Sequence, residues 1–455
     1  GYSDSWANGV QIKSPNFSGV GPLYEFITTK LGFSGFDAGK TMALASFSHE
    51  FDKKDIYPLP DNRHQDVLID YRPTIEWIRE NVPTYEERLA AEQGDGLVSK
   101  FWVNLARQSQ QVLEEDVLFL ADSAIKKCKS KNLAYAGGVA LSCITNRKVI
   151  DAGLVDNLFV QPASSDEGIA LGCALLGYYL EGGKKRKVLD GGYLGRKYDA
   201  TDFSKALKNS KLNTKKSSNQ EVAKLISEGK IVARYSSQSE YGPRALGNRS
   251  ILADPRRPEM TDILNRRVKH REGFRPFAPS VLDREANTYF EMPFPGPYMN
   301  IAAPVRSEFR KLIPAVTHVD GSCRPQTVTY NQNADYYDLI TAFGEETGVY
   351  CVINTSFNDN GEPIVETHED AIRSFCRTNI DYLFMDDQLI WKPEGVSADR
   401  SIPLVDKLRD EQYREILRAN CDESLVYEVL NPLTFWDGSS ILEMSQELGL
   451  LDKVK

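Results

Sequence analysis

Residues 240–256, Glu-Tyr-Gly-Pro-Arg-Ala-Leu-Gly-Asn-Arg-Ser-Ile-Leu-Ala-Asp-Pro-Arg, pack so many conformationally special residues into one run that the surrounding chain has to be built to present a loop. Just upstream, residues 231–235 (Ile-Val-Ala-Arg-Tyr) have the β-branched alternation of a short strand, and Gly242-Pro243 supplies the turn that stops it. Arg244 and Arg249 then fall five apart with Gly247 between them. Two guanidiniums so spaced can converge on one anion while the backbone approaches it closely, an arrangement that suits phosphate. The plainer alternative is a structural salt-bridge network with Glu240 and Asp254.

Three later stretches are equally rich: 269–280 (Lys-His-Arg-Glu-Gly-Phe-Arg-Pro-Phe-Ala-Pro-Ser), 317–328 (Thr-His-Val-Asp-Gly-Ser-Cys-Arg-Pro-Gln-Thr-Val) and 354–365 (Asn-Thr-Ser-Phe-Asn-Asp-Asn-Gly-Glu-Pro-Ile-Val). Four such loops in one part of the chain predict one site. Residues 261–268 read as a helix leading to Lys269, which can meet phosphate as a point charge, while Arg275 offers a bidentate fork. Residues 349–353 read as a buried strand ending at Asn354, Ser356 and Asn358, whose polar groups suit hydrogen bonds to a small neutral carbonyl group. His318 and Asp320 would share a face of an extended segment, too far apart along it for an easy direct hydrogen bond. They are read as shaping the loop that presents Arg324 and Gln326, or as binding substrate.

Upstream, Phe101, Leu105, Val112, Val117, Leu118, Leu120 and Ala121 recur near threes and fours, so 97–129 predicts a long amphipathic helix closed by Lys126, Lys127, Lys129 and Lys131. A strand at 132–136 runs into Gly137-Gly138 and a helix beginning near Ser142. A second strand at 158–160 runs into 162–168 and a helix over 169–180, where Gly172 and Ala174 allow close packing. Glycines beside the free amides of a helix start make an anion site, which nominates Gly137, Gly138 and Gly168. The charged turn Gly182-Gly183-Lys184-Lys185-Arg186-Lys187 marks a boundary. Beyond it the pattern predicts helices at 200–207 and 219–228, a helix at 369–377 capped near Thr367, and a hairpin around Asp386-Asp387.

Composition bounds the function. With 455 residues, 41% of them hydrophobic, the chain supports two or three domains. It has no apolar run long enough for a bilayer and no signal-peptide pattern, so a cytoplasmic protein without membrane partners is expected. The seven cysteines (128, 143, 173, 323, 351, 376, 421) are scattered without a Cys-x-x-Cys pair, as in a reducing compartment. A net charge of -9 argues against general nucleic-acid binding and leaves room for a local basic pocket.

The four loops in their order, with Gly-Gly-Val-Ala-Leu at 137–141 and Lys-Thr-Met-Ala-Leu-Ala at 40–45, resemble the O-carbamoyltransferases that carbamoylate antibiotics and nodulation factors, over about residues 26–392. The resemblance implies an α/β protein: an actin-like ATPase (ASKHA-type) lobe over 1–182, a YrdC-like domain over 183–395 and a helical C-terminal extension over 396–455. It implies that carbamoyl phosphate and ATP meet in the YrdC-like domain to give carbamoyl adenylate, whose carbamoyl group passes to a hydroxyl of a small-molecule acceptor. Arg244, Arg249, Lys269 and Arg275 take the catalytic roles. Glu240, Ser250, Ser280, His318, Arg324, Gln326, Asn354, Ser356 and Asn358 bind substrate. Gly137, Gly138, Gly168 and Lys40 bind nucleotide, a solvated surface lysine being the alternative for Lys40. Residues 52–92, polar and without a clean period, read as an insertion near the acceptor pocket. Asp166 would be one ligand of Fe²⁺ or Mn²⁺, or else a helix N-cap.

Two departures qualify the match. Ser142 stands where the family often has Asn, and the five histidines (49, 64, 270, 318, 368) include no pair spaced to chelate, which leaves the metal site incomplete in this chain. The opening on Gly1 predicts a preceding part that carries the missing ligands. The competing readings are a tRNA threonylcarbamoyl-type enzyme, which the acidic balance disfavours, and a catalytically incomplete nucleotide-binding remnant. Homodimerisation is left open.

Overall fold

The computed structural model describes residues 19–401, apart from 66–68, 92–95, 186–190 and 209, and these belong to one compact unit. The Gly1 opening, Cys421, Arg186, Lys187 and almost all of the expected C-terminal extension lie outside the described residues. Among those described, no helix is long and apolar enough to cross a membrane.

The first half begins with α1 (Val20–Lys30), α2 (Ala38–Ala45), α3 (Arg72–Asn81) and α4 (Tyr85–Ala91), gathered on the long α5 (Lys100–Cys128). On α5, Trp102, Leu105, Ala106, Ser109, Val112, Leu113, Asp116 and Val117 are all buried at the spacing of a helical stripe. The helix stops where Lys129 turns left-handed at φ 53°, with Lys126 and Lys127 beside its free carbonyls. Within residues 52–92, which show no clean period in sequence, 72–81 and 85–91 are helical. Pro73 sits in the first turn of α3, whose Thr74, Ile75 and Ile78 are buried. Ile75 and Ile78, with Ile69, Tyr71 and Val82, join the core around Trp102 and Val103. The apolar stripe is too short to stand out in a proline-spotted polar sequence.

β1 (Asn132–Tyr135) and β2 (Asn157–Val160) then pair in parallel, with α6 (Cys143–Asp151) crossing between them and α7 (Glu167–Leu180) following. Ser142 is the N-cap of α6, its hydroxyl accepting from the Thr145 amide. The close packing expected along α7 is not made by the described residues. Ile169, Leu176 and Leu180 are more than half exposed, and a Cβ on Gly172 would meet nothing within 4 Å.

The second half is built on β3 (Asn213–Lys216), β4 (Val232–Tyr235), β5 (Arg249–Ala253), β6 (Ala278–Leu282), β9 (Gln326–Val328), β10 (Cys351–Ser356), β11 (Tyr382–Met385) and β12 (Gln388–Trp391). β7 (Ala303–Pro304) and β8 (Ser322–Cys323) form a small pair apart. The large sheet is mixed, in the order β3-β12-β11-β4-β5-β10-β6-β9. β4, β5 and β6 are buried at every residue, as central strands are. α9 (Asn219–Ser227) packs with α12 (Ala334–Thr347), and α8 (Ala200–Lys208) with α13 (His368–Arg377). Thr367 and Asp370 close a reciprocal capping box on α13, and Asp386 and Asp387, at φ 49° and 61°, turn the β11–β12 hairpin.

Two local features position the site. The helix expected at 261–268 is one α-helical turn, α10 (Met260–Leu264), then a π-helical turn at Asn265–Lys269 that ends on a left-handed His270 (φ 44°), before the short α11 (Ala286–Tyr289). A π turn shifts the register of the residues after it and recurs at functional sites. Gly247 in the 240–256 run has φ 118°, and a Cβ there would lie 2.3 Å from the Tyr336 ring. Its close approach is therefore to a tyrosine of α12, and no anion is needed to explain it. Gly247→Ala is expected to cost about 2–4 kcal/mol of stability through backbone strain and overpacking. Thermal unfolding checks this, and an unchanged melting temperature would contradict it.

Candidate active site

A cavity of about 290 Å³ lies where the two halves meet. The first half contributes Gly39, Met42, Ala43 and Ser46 from α2 and the turn after it, together with Cys143 and Ile144 at the start of α6. The second half contributes one or more residues from each of the four loops at 240–256, 269–280, 317–328 and 354–365. Arg244, Arg271, Arg275 and Arg324 all line it, as do His318, Asn354, Thr355 and Ser356; among the described residues no Asp or Glu lines it, and Glu272 stands beside Arg275 at 3.7 Å.

Four guanidiniums without a lining carboxylate repel one another. The Arg324 guanidinium, with partial loss of hydration, pushes Arg244 down to about 9. Burial, Arg275 and Arg324 likewise push Arg271 down to about 9. Burial and Arg275 lower Arg324 as well. The Cys143 thiol is pushed up by burial against the opposing pull of Arg324 and Arg244. Such a wall, with the first amides of α6 beside it, is complementary to an anion of more than one charge.

The arginines are held by a network behind the wall. Glu240 Oε1 accepts the amides of Leu246 (2.7 Å), Asn248 (2.7 Å) and Arg249 (3.2 Å). The Ser250 hydroxyl accepts from the Gly247 amide at 2.9 Å. Ser280 donates to Gln326 Oε1 (2.6 Å), Gln326 Nε2 donates to the Leu246 carbonyl (2.7 Å), and Asn354 Nδ2 donates to the Ala245 carbonyl (3.1 Å). His318 is not on an extended segment: it enters a turn that brings Asp320 Oδ1 to 3.6 Å from its Nδ1. Burial raises the Asp320 carboxyl, but the His318 ring and the Ser322 hydroxyl and amide outweigh this and hold it well below the usual range.

Comparison with known proteins matches residues 5–175 to the "Carbamoyltransferase N-terminus" model and 223–392 to the "Carbamoyltransferase C-terminus" model. Nodulation protein NolO of Bradyrhizobium diazoefficiens is 34% identical over 409 residues, covering 86% of this chain and 72% of that protein. The chain belongs to the carbamoyltransferase family. Nodulation protein NolNO of Sinorhizobium fredii is 36% identical over 419 residues, 87% of this chain, which spans only 59% of that relative's length. An uncharacterized Methanocaldococcus jannaschii protein is 32% identical over 85% of this chain and 75% of itself. A solved structure, HypF of T. kodakarensis, aligns at a TM-score of 0.22 and 17% identity over 34% of this chain and 20% of that chain, too little to bear on the fold.

In this member of the family several expected site residues stand elsewhere. Arg249 does not converge with Arg244. Its side chain is fully buried, donates to the carbonyls of Ser236, Ser237, Asn248 and Glu366, and lies 3.7 Å from the Tyr235 ring centroid. Lys269 is a strut, donating to the Ser356 carbonyl and hydroxyl and to the Asn358 carbonyl and Oδ1, so no donor is left for phosphate. Burial, then Arg271 and Arg275, lower its pKa well below that of a free lysine. Glu240, Ser250, Ser280, Gln326 and Asn358 do not line the cavity and hold loops that do. Lys40 pairs with Asp37 and Glu272, both at 3.1 Å, and ties α2 to the arginine loop.

One backbone hydrogen bond joins the two glycine loops and a second closes a turn within the later one. The Gly137 amide donates to the Ser164 carbonyl (2.7 Å) and the Gly168 amide to that of Ser165 (2.9 Å). A Cβ on Gly168 would fall 2.1 Å from the Ala163 carbonyl oxygen, and neither Gly137 nor Gly138 lines the cavity. Asp166 holds the N-cap position of α7 with an exposed side chain that makes no capping bond. Among the described residues no group of three or more His, Cys, Asp or Glu side chains fits a metal ion, and no step of the chemistry is assigned to one. Nothing in the sequence sets Arg271 apart within the 269–280 run, because the π turn that aims it leaves no mark there. Arg244→Ala is expected to keep or raise the melting temperature by relieving repulsion, whereas Arg249→Ala should cost roughly 3 kcal/mol or more by orphaning buried carbonyls. Parallel melts of the two variants decide it; equal losses would contradict the division of roles.

Proposed function

We propose that this chain activates a carbamoyl group with ATP in the inter-half cavity, for transfer to a hydroxyl of a small-molecule acceptor. The observation that carries the reading is the wall of four guanidiniums with no carboxylate among its described lining residues, in a member of the carbamoyltransferase family. Atom balance sets the order. Water releases inorganic phosphate from carbamoyl phosphate and leaves carbamate. A carbamate oxygen attacks the α-phosphorus of ATP, pyrophosphate departs, and the acceptor hydroxyl later displaces AMP. Arg244, Arg271, Arg275 and Arg324 would offset the charge gathered on the phosphates, a role suited to fixed dipoles and cations in a partly dry site. Ser356 and Thr355 supply hydroxyls at the same wall. The volume of about 290 Å³ falls at the foot of the usual range for ligand pockets, roughly 300–1,000 Å³, and suits phosphates with a carbamoyl group better than a whole nucleotide. The base and ribose would extend outward.

The same reading takes the second half as YrdC-like and the first as part of an actin-like lobe. Supporting it are the mixed sheet whose β10 ends in the cavity, and the parallel β1–β2 pair with glycine loops after each strand. A cytoplasmic setting and ATP as co-substrate are part of the proposal. Carbamoyl-phosphate-dependent exchange of labelled pyrophosphate into ATP is the expected activity. Arg244→Ala and Arg324→Ala should each lower it about 10²–10³-fold, as loss of a charge-stabilising donor does. Exchange indifferent to both substitutions would move the chemistry out of this cavity, and no exchange from the folded wild-type chain would defeat the reading.

A further inference from the structure

Two side chains in the wall of this donor-rich cavity carry a buried acceptor with no partner: His318 Nε2 and Asn354 Oδ1. Both orientations are fixed by their neighbours. Asn354 Nδ2 faces the Ala245 carbonyl (3.1 Å) and Gln326 Oε1 (3.0 Å), which only accept, as well as Ser280 Oγ (2.9 Å). Gln326 Oε1 is itself assigned because Gln326 Nε2 donates to the Leu246 carbonyl. The nitrogen of Asn354 therefore belongs where it is, and the end left over is the oxygen. At His318, the Asp320 carboxylate faces Nδ1 at 3.6 Å and draws the ring proton to that nitrogen. Asp320 is held in turn by the Ser322 amide (2.9 Å) and hydroxyl (2.6 Å). In the neutral ring Nε2 then presents a lone pair.

Buried acceptors without partners are rare, and each calls for a donor. Guanidiniums and helix amides answer the oxygens of a phosphate, but they leave these two atoms unanswered. We propose that His318 and Asn354 are specificity-determining residues that accept the N–H groups of the carbamoyl amide. The cavity would thereby distinguish a carbamoyl from an acetyl group, whose methyl offers no donor. The proposal rests on the cavity being the carbamoyl phosphate site and adds which end of the ligand faces which wall.

The test is a set of displacement titrations on the whole chain with inorganic phosphate, acetyl phosphate and carbamoyl phosphate. Wild type should prefer carbamoyl over acetyl phosphate by about tenfold or more, the discrimination expected when a site built to bind N–H groups meets an analogue lacking them. His318→Phe should cut the ratio by about threefold or more, Asn354 still accepting one N–H, while leaving inorganic phosphate affinity within about twofold, because a uniform loss would mean only a disturbed wall. His318→Gln, which retains an acceptor oxygen, should recover part of the preference. Equal wild-type affinity for the two acyl phosphates overturns the inference without any variant, and a preference left unchanged by His318→Phe overturns it as well. Failure of wild type to bind even inorganic phosphate overturns the anion site and this inference with it, whereas phosphate binding without the preference overturns this inference alone.

Discussion

One carboxylate oxygen fixes the loop on which the site depends. By accepting three amides of the 246–249 turn, Glu240 Oε1 turns a glycine-containing run into a single conformation and satisfies donors that would otherwise be orphaned away from water. The carbonyls of the same run are taken up by Asn354, Gln326 and the Tyr193 hydroxyl. With both edges of the backbone held, the side chains have little choice. Arg244 is left in the cavity, and Arg249, at the start of β5, is turned into the interior.

This anchoring matters because the wall it supports is unfavourable alone. Four cations share about 290 Å³ without a lining acid, and the lowered proton affinity of Arg244, Arg271 and Arg324 reflects their mutual repulsion and poor hydration. Flexible side chains would swing into water. Here they are presented by loops tied down by Glu240, Lys269 and the Ser280–Gln326–Asn354 network, so the repulsion is retained until an anion relieves it. The arrangement is a preorganised site whose cost is carried by the hydrogen-bonded scaffold behind it.

Much of this is legible in the sequence. The long stripe of α5, the strands at 132–135 and 157–160, the Thr367 cap of α13 and the Asp-Asp hairpin all follow from periodicity and turn chemistry. The four special-residue loops are legible too, and one or more residues of each line one cavity. What sequence does not supply is direction. Arg244 and Arg249 are the same residue type in one motif, and only the packing of β5 against its neighbours sends one inward. Lys40 lies beside Gly39, Met42 and Ala43 on α2, yet those three face the cavity while Lys40 joins Asp37 and Glu272 at its side. The glycine loops read as phosphate cradles because glycine serves any close backbone contact, and here Gly137 bonds to Ser164 of the other loop while Gly168 packs on Ala163 and Ser165 of its own. The metal reading of Asp166 finds no companions among the described residues for a similar reason: a carboxylate before a helix has more than one use.

The cavity draws its wall from both halves of the chain, α2 and the start of α6 on one side and the arginine loops on the other, with Lys40 and Glu272 bridging them. A site of that kind is not inherited in parts. Recombination between two relatives at the glycine turn near residue 182 would set the helices of one parent against the guanidiniums of another, and the hybrid wall would match neither. The two halves are therefore bound to drift as a pair, each substitution in α2 altering what the distant 271–275 segment can tolerate, even though more than two hundred positions separate them in the chain.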